Sequence, residues 1–158
     1  TSWAFQSQVY FLSSKFQIHQ QIVQSSETVV QDRTIYEDAE IFAENLYRSR
    51  VMRKRDYVTY MGLYETIADS LAPPDLLIYL RCSVKAVRQR IRLRGRPEEQ
   101  SISPNYLKRL HSLYEEWFSR YDRSSTLIID TERVDYIHDL LHRLDLIEVL
   151  LHLQKTLH

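Results

Sequence analysis

Five apolar residues, Leu76-Leu77-Ile78-Tyr79-Leu80, follow one another without a polar interruption. This run constrains the fold more than any other stretch. A strand with one wet face alternates apolar and polar side chains; a strand covered on both faces need not, and such strands belong to parallel sheets layered by helices. Ala72-Pro73-Pro74 stands just before the run and ends the preceding helix, predicted from Arg53 to Leu71, because proline cannot continue it. Ser83 follows as an N-cap for a helix starting at Val84. Helix, buried strand and helix in succession predict an α/β layered fold with a parallel sheet.

The rest of the chain fits that class. Phe5, Val9, Leu12, Phe16 and Ile22 recur near helical spacing and predict a helix from Trp3 to about Val23. Thr28-Val29-Val30 has the β-branched composition of a short strand. Ile35 to Ser49 reads as a helix. Another starts at Ser103-Pro104, with proline in its first turn, and runs to about Tyr121. Thr126-Leu127-Ile128-Ile129 is a third strand, and a last helix fills roughly Val134 to Leu153. No repeat or linker divides residues 1–158, so one domain is expected. In open α/β sheets, ligands bind beyond the carboxyl ends of the strands. Asp32-Arg33-Thr34, Arg81-Cys82 and Asp130-Thr131 all follow predicted strands.

Arg88, Arg90, Arg92, Arg94 and Arg96 fall within nine residues, and Glu98 and Glu99 come next. The guanidinium fork suits phosphate oxygens, and its charge does not titrate away. The competing reading is a solvated basic helix end that complements the helix dipole. Asp32, after the first predicted strand, is placed to hold a hydrated magnesium ion, although an aspartate there is also an ordinary helix cap. The 21 basic and 21 acidic residues balance, which argues against a nucleic-acid coat or a membrane-surface protein. No apolar run approaches the roughly 20 residues of a membrane span. The one cysteine, Cys82, reads as a buried thiol in a reducing compartment. His138 and His142 lack a third ligand at motif spacing and read as surface residues.

Four segments together resemble the deoxynucleoside kinase family: Trp3 to Tyr10 with Leu12, Ser14 and Lys15; Asp32-Arg33-Thr34-Ile35-Tyr36-Glu37-Asp38 with Ile41-Phe42-Ala43; Ile78-Tyr79-Leu80; and Leu93 to Gln100 with Tyr106-Leu107. The second and fourth are the specific ones. The resemblance implies a three-layer P-loop kinase-like fold and transfer of the γ-phosphate of ATP, with magnesium, to a deoxynucleoside 5′-hydroxyl. It places Gln8 and Asp38 at the base, Arg33 near the reacting hydroxyl, and Asp32 near magnesium. Arg90, Arg94 and Arg96 become a lid over the transferred phosphate. Glu99 holds the sugar 3′-hydroxyl, and Asp130 opens the loop that binds the donor's adenine. The family's base-pairing arginine falls at Lys15, which cannot make the bidentate fork. Retention of Asp38 implies deoxyadenosine or deoxyguanosine first, deoxycytidine next and thymidine poor. A cytoplasmic homodimer is expected, built on the helices containing Phe5 and Phe42, with no nucleic-acid or membrane partner.

The family's G-x-x-x-x-G-K-[ST] loop and its Glu-Pro base are missing, and the only glycines are Gly62 and Gly95. The expectation is therefore a C-terminal portion of such a kinase, lacking the N-terminal strands and phosphate loop and inactive alone. Two other readings remain open. One is a thymidylate kinase-like nucleoside monophosphate kinase, which shares an Asp-Arg pair and an arginine lid. The other is a non-catalytic module whose arginine helix binds RNA or protein.

Overall fold

The computed structural model describes residues 2–132, 134 and 139–157. The chain forms two compact units, one of Thr1–Ala72 with Lys108–Tyr121, the other of Pro73–Leu107 with Asp122–His158.

The first unit is helical. Helix α1 spans Ser2–Gln24, and Gln8, Leu12 and His19 line its buried face. His19 Nε2 meets the Ala72 carbonyl at 2.9 Å, so its ring is satisfied inside the unit. Helix α2, Ile35–Glu37, opens on a capping box: the Thr34 hydroxyl accepts from the Tyr36 amide at 3.2 Å, and Glu37 Oε2 accepts from the Thr34 amide at 2.7 Å. The helix then widens into a π segment, Asp38–Ala43, and tightens again as α3, Glu44–Arg48. Helix α4, Lys54–Ala68, buries Tyr60, Tyr64 and Ala68 on one stripe at four-residue spacing. Helix α1 packs against α4 and against the π segment. Ile35, Tyr36, Ala39, Ile41, Ala43, Met52 and Tyr60 are almost wholly enclosed and form the core. From the later stretch of this unit, Leu113 and Trp117 add to the buried set, and Trp117 meets Tyr121 edge-on at 5.4 Å.

The second unit carries the sheet. Strands β1, Leu76–Arg81, and β2, Ser125–Asp130, pair in parallel, from Leu76 opposite Ser125 to Arg81 opposite Asp130. Ser83 caps α5, Val84–Arg94, its hydroxyl accepting from the Ala86 amide at 3.1 Å. Gly95 ends α5 in the left-handed region at φ 69°, a conformation glycine adopts without a Cβ penalty. Helix α6, Pro97–Gln100, starts on its proline. Helix α7, Pro104–Phe118, begins in this unit, and α8 spans Leu140–Leu157.

Several expectations change. Thr28-Val29-Val30 is not a strand; Val29 and Val30 are exposed. Strand formation is a pairing event, and β-branched residues without a neighbouring ladder do not achieve it. Nor is the run at Leu76–Leu80 covered on both faces: Leu77 is buried, while Leu80 is 57 % exposed. The described sheet has two strands, which leaves much of its surface without cover. Cys82, just past β1, is half-buried rather than buried. The last helix begins at Leu140, later than the apolar pattern alone predicts. Residues 133 and 135–138, His138 among them, lie outside the described set. His142 sits beside Asp139, with 3.3 Å between Nδ1 and Oδ2.

Candidate active site

In the first unit, the predicted acceptor residues gather at the junction of α1, the loop at 31–34 and the π segment. Gln8 and Lys15 lie seven residues apart and so share a face of α1, with buried Leu12 between them. Gln8 Oε1 and Asp38 Oδ2 are both buried with no hydrogen-bond partner among the described residues, and so is the Tyr60 hydroxyl. Buried polar atoms without partners are rare and ask for an explanation such as a ligand. Burial raises the Asp38 carboxyl above the usual aspartate value; Lys15 and Arg33 pull it the other way. Burial and the Asp38 charge together push the Tyr60 hydroxyl up, so Tyr60 is a neutral donor beside a carboxylate. Tyr114 is likewise pushed up to about 12, by burial and then by Glu37, with Arg33, Asp32 and Asp38 also acting on it.

Asp38 begins the π segment. One wider turn changes the phase of every side chain after it, and such turns occur often at functional sites. Arg33 has φ 61°, a left-handed backbone that costs a residue with a Cβ about 1–2 kcal/mol. Three features hold it there. Lys15 Nζ donates to the Arg33 carbonyl at 2.7 Å. The Arg33 guanidinium lies 5.0 Å from the centre of the Phe42 ring. The capping box begins at the next residue. Asp32 is exposed on the same loop. No group of three or more His, Cys, Asp or Glu side chains among the described residues forms a metal cage. Magnesium does not require one, because it binds through one or two carboxylates, waters and substrate phosphates. A lone exposed carboxylate fits that pattern.

In the second unit the predicted lid divides into two clusters. Arg94 Nε donates to Glu99 Oε2 at 2.9 Å, and Arg96 lies 3.7 Å from Glu99 Oε1. Gln100 Nε2 donates to the Ile91 carbonyl at 3.0 Å and pins the turn at Gly95. Glu99, predicted for the sugar, therefore holds two of the predicted lid arginines. Arg90 is elsewhere. Its guanidinium donates to Thr131 Oγ1 at 3.1 Å, to the Thr131 carbonyl and to the Val134 carbonyl. Thr131 is buried, and its amide donates to the Arg81 carbonyl at 2.8 Å, extending the β1–β2 ladder by one residue. Glu132 accepts from the Ser83 amide at 2.7 Å and from its hydroxyl at 2.8 Å. Those bonds hold its carboxylate below the usual range. Asp130 Oδ1 accepts from the Glu132 amide at 2.8 Å.

Thr131 was placed at a strand end by the sequence, but Tyr60, Tyr114 and the contact of Glu132 with Ser83 were not legible there. The nearest signal was Tyr60 and Tyr64 at four-residue spacing, which reads first as packing.

The sequence profile of the deoxynucleoside kinases matches residues 1–153, and the chain belongs to that family. It is 40% identical over 121 residues to a deoxyadenosine kinase of Dictyostelium discoideum, covering 77% of this chain and 49% of that protein. A deoxyadenosine/deoxycytidine kinase of Bacillus subtilis is 36% identical over 139 residues, covering 87% of this chain and 64% of the relative. The chain thus spans about half to two thirds of these relatives' length. The solved deoxyadenosine kinase of M. mycoides with bound dATP superposes with a TM-score of 0.74 at 31% identity, covering 94% of this chain and 74% of that one. The fold is that of the P-loop kinases.

Proposed function

We propose that the protein carrying this chain transfers the γ-phosphate of ATP to the 5′-hydroxyl of a deoxynucleoside, a purine first, and works in nucleotide salvage in the cytoplasm. The observation that carries this reading is the pair of buried acceptors without partners among the described residues, Gln8 Oε1 and Asp38 Oδ2, in a chain that matches the deoxynucleoside kinase profile. Two acceptors call for N–H donors. Adenine, guanine and cytosine each carry an exocyclic amino group with two N–H donors; thymine has no amino group and offers only its ring N3–H. The two relatives described above, a deoxyadenosine kinase and a deoxyadenosine/deoxycytidine kinase, support this reading, although thymidine kinases are also among the relatives.

In this reading Arg33, fixed in its left-handed turn, meets the 5′-hydroxyl and the incoming phosphoryl oxygens. Asp32 would hold magnesium, which supplies charge neutralisation on the phosphates. The family resemblance assigns Arg94 and Arg96 to the transferred group and Glu99 to the sugar 3′-hydroxyl. Arg90 serves the lid from its anchor beside Thr131. Phosphoryl transfer depends mainly on such positioning and charge stabilisation. Asp130 and the residues after it receive the donor base. Residues 1–158 act as one domain. Trp3, Tyr10 and Ile18 are exposed along α1 and would seat a second copy in a homodimer.

The test is a steady-state survey of the full-length protein with ATP and each deoxynucleoside, alongside the corresponding monophosphates. Deoxyadenosine or deoxyguanosine should give the highest kcat/KM. Thymidine as best acceptor would overturn the purine reading, and phosphorylation of monophosphates alone would overturn the nucleoside one.

A further inference from the structure

Lys15, at the position where the family resemblance implies an arginine, has its ammonium on the backbone: Nζ donates to the Arg33 carbonyl at 2.7 Å, across 18 residues of chain. That carbonyl belongs to a residue at φ 61°. A left-handed arginine persists only where its surroundings over-determine it. The Phe42 ring restrains the guanidinium, and the Thr34–Glu37 capping box restrains the chain beyond. On the Arg33 carbonyl itself, Lys15 is the partner that the geometry supplies. Lys15 also rises from the face of α1 that carries Gln8, and its charge reaches Asp38.

We propose that Lys15 is a positioning residue, which ties the left-handed turn at Arg33 to helix α1 so that the arginine and the base-reading side chains Gln8 and Asp38 share one frame. This rests on the kinase reading above. Lysine is well matched to this role. A single ammonium at the end of a flexible stem satisfies one carbonyl, where a planar fork would bring surplus donors. The tether serves turnover more than base affinity. A shift of about 1 Å in a reacting group costs up to about 10²-fold in rate, even when binding is intact.

The experiment compares wild type, Lys15→Met and Lys15→Arg in the full-length protein. Two readouts are taken: kcat and nucleoside Kd, and deuterium exchange of the amides at 31–36 without ligand. Lys15→Met should lower kcat about 10–100-fold with Kd changed less than about threefold. Its amides at Arg33 and Thr34 should exchange faster than wild type. Lys15→Arg, which keeps a donor, should restore slow exchange and part of kcat. A rise in Kd of about tenfold or more in Lys15→Met, with kcat kept, would show that the lysine reads the base directly and overturn the proposal. Unchanged exchange in Lys15→Met would also overturn it. If wild type phosphorylates no nucleoside, the proposed function fails, and the exchange arm alone decides whether the tether exists.

Discussion

Asp38 carries a cost in the fold and, under the proposed function, a use at the base. Burial raises its carboxyl above the ordinary value of 3.8. Between the ordinary and the raised value the folded state binds the proton more tightly than the unfolded chain does. Stability is therefore greatest below that window and falls as pH rises through it. Asp38→Asn removes the charge and should give a higher melting temperature than wild type near pH 7, with a flatter dependence on pH. It should also lose about 10–100-fold in kcat/KM for deoxyadenosine, the worth of a charge-assisted hydrogen bond. Thermal melts from pH 4 to 8, with kinetics on the same samples, check both; parallel pH curves would show that the carboxyl is not strained in the fold. Arg96 has a different signature. Its guanidinium lies 3.7 Å from Glu99 and is mostly exposed, so Arg96→Ala should cost little stability. If Arg96 serves the lid as proposed, its kcat should fall about 10²-fold with KM nearly unchanged, because the charge it would meet develops late.

At the scale of elements, the turn at Gly95 joins α5 to α6 and sets where Arg96 and Glu99 stand. A Cβ there would meet only the Leu93 carbonyl at 4.0 Å, so space is open and the φ of 69° is the whole difficulty. Gly95→Ala should therefore destabilise by about 1–2 kcal/mol in chemical denaturation, and Gly95→Asn by less. Caps and punctuation of this kind were legible from the letters alone. Ser83 and Pro104 act within a few residues, and α5 and α7 start where they predict, whereas α4 ends at Ala68, three residues short of the end expected before Ala72-Pro73-Pro74. What depends on distant partners was not legible. Thr28-Val29-Val30 has strand composition, but strand formation needs a neighbouring ladder. The arginine cluster read as one group, yet Arg90 turns to the loop after β2 because Thr131 and Val134 offer carbonyls there. The partnerless hydroxyl of Tyr60 depends on how α4 meets the π segment, which no local pattern encodes.

For the molecule as a whole, much apolar surface faces water. Leu80 and Ile128 on the sheet are exposed, as are Leu140, Leu144, Ile147 and Leu151 along α8. Patches of that kind mark surfaces meant for cover or prone to association. Residues 1–158 expressed by themselves should bind a hydrophobic dye, unfold over a broad range and show no phosphotransfer. A sharp calorimetric transition and a dye-silent surface would contradict this. The π segment Asp38–Ala43 has one more consequence, which concerns heredity rather than chemistry. A π turn is an α-helix holding one surplus residue. Loss of a single codon inside it would leave a regular helix that folds without complaint, while rotating Asp38 by about 100° against everything downstream. In this stretch the count of residues is itself under constraint, so a one-residue deletion should be harsher than most substitutions.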